Sequence, residues 1–98
     1  MNDQRGVNVT EAQIVDETRR YITENFLYAR PDRVVGEHEH LMERGIVDSM
    51  GMMELIDFLE ERFGVQPADE EITEQNFATL ARIAAFVSRK RSVASNAA

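Results

Sequence analysis

The stretch from Asp48 to Gly64 constrains this chain more than any other. If successive residues turn by about 100° around a helix axis, Met52, Leu55, Ile56, Leu59 and Phe63 fall within one arc, opposite Glu54 and Glu61. The spacing predicts a helix with one buried face, ended by Gly64. An apolar stripe of this kind cannot be hidden by a lone helix, so the rest of the chain must supply surfaces to cover it.

Two further segments do so. Thr10 followed by Gln13 is a capping-box pattern, and Ile14, Tyr21, Ile22 and Phe26 recur on one helical face, which predicts a helix from about Thr10 to Phe26. Its other face carries Glu11, Glu17, Arg20 and Glu24 and reads as solvated surface. Near the end, Leu80, Ile83, Ala84 and Val87 stand at i, i+3, i+4 and i+7, with Asn76 or Thr79 as alternative caps and Arg89, Lys90 and Arg91 suiting the C-terminal end. Pro67 to Glu71 resembles a short helix start of one or two turns.

Between the first two helices, residues 27–47 contain Pro31 and Gly36 and no sustained period, a length at which a structureless loop must be held down. Leu27, Val34, Val35, Leu41, Ile46 and Val47 are its candidate anchors, and Leu41 to Arg44 suits one helical turn before Gly45. With 98 residues there is one core to build. The expected fold is all-α: a three-to-four-helix bundle with a long loop between helices one and two. One domain is expected at residues 10–91, between a flexible N-terminus at 1–9 and a disordered tail at 92–98.

Composition removes several functions. A formal charge of −7 opposes binding to nucleic acid or anionic membrane and favours partners with basic surfaces. The absence of cysteine removes disulfides, thiolate metal sites and a cysteine nucleophile, and suits a reducing cytosol. The opening MNDQRGVNVTEAQ lacks the apolar stretch of a signal peptide, and no apolar run is long enough to span a bilayer. A soluble cytoplasmic monomer is expected. No set of nucleophile, base and electrophile can be named, so the chain is not expected to be an enzyme.

Ser49 follows Asp48 at the start of the second helix and lies at the edge of the buried arc. If Asp48 caps the helix, Ser49 becomes its first residue with an uncommitted hydroxyl. A helix start also favours an attached phosphate by roughly 0.3–1 kcal/mol, part of which the Asp48 carboxylate opposes. Alone, the dipeptide is an ordinary cap. His38 and His40, two apart in a loop without other evident ligands, do not make a metal site, and no metal is expected. Phe58 lies outside the arc, and the pattern leaves open whether it packs under the following loop or serves partners.

The segment GIVDSMGMMELIDFLEERFGV, Gly45 to Val65, resembles the modification site of acyl and peptidyl carrier proteins, with LMERG before it and NFATLARIAAFV at Asn76 to Val87 resembling the family's last helix. The resemblance spans about Thr10 to Val87. It implies that a phosphopantetheinyl transferase attaches 4'-phosphopantetheine from coenzyme A to Ser49, with Asp48 in support. Acyl or aminoacyl groups would then ride as thioesters on the arm's thiol, loaded by an acyl or aminoacyl ligase and passed to a downstream transferase. It further implies that Met50, Met53, Glu54, Asp57, Glu60 and Glu61 form the face that docks on basic patches of partners. The chain differs from carriers of bulk fatty acid synthesis in Met50 for leucine, Gly51 where an acid is common, and the basic finish at Arg89 to Arg91. These departures make a specialised freestanding carrier the expectation, with an aminoacyl or peptidyl carrier or an unmodified helical adaptor as alternatives.

Overall fold

The computed structural model describes residues 9–30 and 32–97, with side chains through Ser92. Helix α1 spans Glu11–Phe26, α2 Ser49–Phe63, the short α3 Glu74–Phe77 and α4 Leu80–Ala97, with a 3₁₀ turn at Asp69–Glu71 before α3. There is no strand among the described residues, and the fold is the all-α bundle expected from the three amphipathic periods.

Each of the three long helices starts where a side chain satisfies free N–H groups. The Thr10 hydroxyl accepts from the Gln13 amide at 3.1 Å while the Thr10 amide donates to the Gln13 side chain at 2.8 Å, which is the complete capping box. At α4 the cap is Thr79, whose hydroxyl accepts from the Arg82 amide at 3.1 Å. Asn76 lies inside α3 and donates its side-chain N–H to the Glu71 carbonyl. Helix α4 continues to Ala97, past Arg91 and through residues expected as a tail, because that stretch holds neither Pro nor Gly and includes strong helix formers. At the other end Val9 packs against the core, and residues 1–8 of the expected flexible segment lie outside the described residues.

The core joins all three long helices. Ile14 and Ile22 from α1, Leu55, Ile56 and Leu59 from α2, and Leu80, Ile83 and Val87 from α4 are at most 2% exposed. Thr18, also wholly buried on α1, has no hydrogen-bond partner for its hydroxyl among the described residues.

The loop at 27–48 is pinned along its length. Leu27, Val35, Leu41, Ile46 and Val47 are buried as expected, whereas Val34 is 71% exposed, because in extended chain adjacent side chains point to opposite sides and Val35 takes the inner one. The Arg19 guanidinium donates to the Val35 carbonyl at 2.8 Å, the Leu41 amide to the Ala78 carbonyl at 2.8 Å, and the Ala81 amide to the Glu37 carbonyl at 3.0 Å. Arg33 grips both oxygens of Glu39, at 3.1 and 2.9 Å, and the Gly36 amide donates to the same carboxylate at 2.7 Å. These contacts hold the Glu39 carboxyl at about 2, well below its ordinary 4.5, with the Arg33 hydrogen bond the largest cause. The turn at 41–45 closes on Gly45, whose φ of 71° explains the glycine.

Candidate functional site

Asp48 sits in extended backbone and its carboxylate accepts from the Gly51 amide at 2.7 Å, so the cap of α2 is made by Asp48 and does not need Ser49. Ser49 is the first helical residue and is exposed. Its hydroxyl therefore stands at a helix N-terminus, in solvent, beside amides that favour negative charge. At the other end Gly64 terminates α2 with φ 71°, and Arg91 of α4 donates to the Phe63 carbonyl at 2.6 Å. Lys90 pairs with Glu71 at 2.7 Å and, with the Ala68 amide, lowers the Glu71 carboxyl. The basic finish of the chain thus ties α4 to the end of α2 and to the 3₁₀ turn.

The outward side of α2 carries the residues expected to dock on partners. Met50 is 75% exposed and Met53 51%. Glu54, Asp57 and Glu61 are exposed and Glu60 is half-buried. No charged side chain occurs from Ser49 to Met53, so the surface divides into an apolar first turn around Ser49 and an acidic stretch beginning at Glu54. The field of that stretch reaches α1: burial and then Glu54 and Asp57 push the Tyr21 phenol upward.

Phe58 packs neither under the following loop nor free in solvent. It stacks on Tyr21 of α1, ring centroids 4.3 Å apart, in a row continued by Phe26 and Phe63. The loop residue Met42, missed in the sequence, is 44% exposed and lines a recess of about 150 Å³ with Met52, Ile72, Phe77, Ala78, Thr73, His40 and Glu74. Its wall is mostly apolar, from elements far apart in the chain, and no periodicity brings them together.

His40 lies with Glu43 and Glu74 close enough to suggest a cation, its Nε2 3.7 and 3.4 Å from their carboxylates. The imidazole geometry argues otherwise. His40 Nδ1 accepts from the Glu43 amide at 3.2 Å, which leaves the proton of a neutral ring on Nε2, the nitrogen a metal would need bare. His40 is the cap of the 41–44 turn, and its other nitrogen faces Glu74. His38 is exposed and takes no part in the cluster.

An exposed serine hydroxyl on the first turn of a helix, capped by its neighbour, suits a covalently attached phosphate ester. The chain matches the family model described as phosphopantetheine attachment site over residues 23–87, which include Ser49. Comparison with curated proteins returns no match. Family members carry covalently attached 4'-phosphopantetheine, and the domain is a carrier, not a catalytic one. No helix among the described residues is long and apolar enough to cross a membrane. The all-helical bundle and the extent of the match together place this chain in the acyl carrier protein family, whose domains bear a phosphopantetheine arm.

Proposed function

We propose that residues 10–91 form a freestanding acyl carrier domain in which Ser49 bears the phosphopantetheine arm, and that it acts as a cytoplasmic monomer. The observation that carries this is the division of labour at the helix start: Asp48 makes the cap, and Ser49, one residue on, is exposed with its oxygen uncommitted. In the modification the Ser49 oxygen would bond to the pantetheine-bearing phosphorus of coenzyme A as the pyrophosphate P–O bond breaks, adenosine 3',5'-bisphosphate leaving and the hydroxyl proton passing to the transferase. When bound, the arm supplies a terminal thiol that holds an acyl group as a thioester. Tethering makes delivery intramolecular once the carrier docks, which raises the cargo's effective concentration at a partner's active site. With no cysteine in the chain, that thiol meets no competing side-chain thiol in its own carrier.

Docking falls to Met50, Met53, Glu54, Asp57, Glu60 and Glu61, which face a transferase, a loading ligase and a downstream acyl-accepting enzyme. An acyl cargo is favoured over an aminoacyl one by the recess among Met42, Met52, Ile72 and Phe77, whose mostly apolar wall suits a short hydrocarbon chain and whose one carboxylate, Glu74, faces His40. Peptide mapping by tandem mass spectrometry should place the added group on the peptide containing Ser49. Loading the arm with a short acyl chain should shift the resonances of Met52, Ile72 and Phe77. Shifts confined to the surroundings of Ser49 would mean that the recess does not receive the chain.

A further inference from the structure

Gly51 has no backbone reason to be glycine. Among the described glycines only Gly45 and Gly64 have positive φ, and within a helix glycine costs about 0.8–1.0 kcal/mol relative to alanine. Its reason is space. A Cβ at residue 51 would lie 2.9 Å from Cε1 of Phe26 and 3.1 Å from Asp48 Oδ1 and Val47 Cγ1. The ring of the last residue of α1 therefore rests directly on the α2 backbone, two residues beyond Ser49. Phe26 is steadied by an edge contact with Tyr21, centroids 5.9 Å apart at 74°, and Tyr21 by its stack on Phe58. Even so, Phe26 is only partly buried.

Apart from the capping Asp48, whose carboxylate is engaged by the Gly51 amide, the surface at this point is apolar on both helices: Phe26 covers Gly51, Met50 adjoins Gly51 and is 75% exposed, and the next acid along α2 is Glu54. Exposed apolar groups rimmed by charge mark protein contacts, thioether side chains adapt to different surfaces, and aromatic side chains are enriched among residues that dominate such contacts. Resting on the assignment of the arm to Ser49, we propose that Phe26 is a specificity-determining residue for the enzyme that modifies Ser49. With Met50 it makes a contact drawn from both α1 and α2. That contact fits an apolar recess on the enzyme, bordered by basic side chains that meet Glu54 and Asp57. Gly51 is the residue that admits the ring.

The test is the steady-state rate of phosphopantetheine transfer from coenzyme A by a broad-specificity phosphopantetheinyl transferase, at two salt concentrations, with thermal melts of each variant. Phe26→Ala should raise KM about tenfold with kcat within about twofold, and Phe26→Leu, which keeps an apolar cover on Gly51, about threefold. The salt dependence should stay that of the wild type, because no charge is removed. Gly51→Ala, which displaces the ring, should raise KM in the same sense. A folded Phe26→Leu with the KM of the wild type overturns the proposal, and that variant decides the matter if Phe26→Ala does not fold. A wild type that takes no phosphopantetheine at all refutes the assignment of Ser49 instead, and is readily told from a modified wild type indifferent to Phe26.

Discussion

The loop at 27–48 and the outward face of α2 are both well supplied with charge, but they use it differently. In the loop Arg33 is locked on Glu39, and Arg19 reaches in from α1 to a loop carbonyl. Along α2, none of Glu54, Asp57, Glu60 and Glu61 enters an ion pair among the described residues. Asp57 and Glu61 stand four apart, and Glu54 and Asp57 three apart, spacings at which like charges destabilise a helix by about 0.2–0.5 kcal/mol per pair. Charge that folds this chain is matched within it. The unmatched charge costs the fold a little stability, which favours a role toward basic partners.

Leu41 is fully buried beneath the loop, and its truncation to alanine should lower unfolding stability by about 2–5 kcal/mol in denaturant melts. A loss below about 1 kcal/mol would mean that the loop is not anchored as described. Reversing Glu54 and Asp57 together to lysine should raise the KM for modification about tenfold while moving stability by no more than about 0.5 kcal/mol. Equal modification rates would reduce the stripe to solvated surface. Arg91→Met, which removes the donor to the Phe63 carbonyl, should cost about 1 kcal/mol and leave modification unchanged.

The smallest effect concerns pH and sharpens the loop side of the contrast. The Glu39 carboxyl is held at about 2 in the folded protein against an ordinary 4.5. As pH falls, the unfolded chain takes up this proton first. The contribution of Glu39 is therefore complete above about pH 4.5 and is lost as pH falls toward about 2. Melts of Glu39→Gln across this range should show a shallower acid decline than the wild type. Identical slopes would mean that the Arg33 and Gly36 contacts are not formed in solution.

Much of this was legible in the sequence, and the limits have a common cause. Asp48, Gly64 and the arc from Met52 to Phe63 are local signals, since capping and periodicity act within a turn or two, and the structure reproduces each. The exposure of Ser49 followed from the same wheel. What escaped was long-range. In the sequence Gly51 and the basic finish stand only as departures from the carriers of bulk fatty acid synthesis, whereas in the fold Phe26 from α1 lies on Gly51 and Arg91 reaches the end of α2. Phe58 and Asn76 were undecided for the same reason, their partners lying on other elements. No helical period records a side chain that reaches a carbonyl or a ring on another element.

Intact mass after incubation with coenzyme A and a competent phosphopantetheinyl transferase reads out whether Ser49 accepts the arm. The folded wild type should gain the mass of one phosphopantetheine, and Ser49→Ala should gain none. A folded wild type unchanged in mass, or a Ser49→Ala variant that still takes the group, would contradict that assignment.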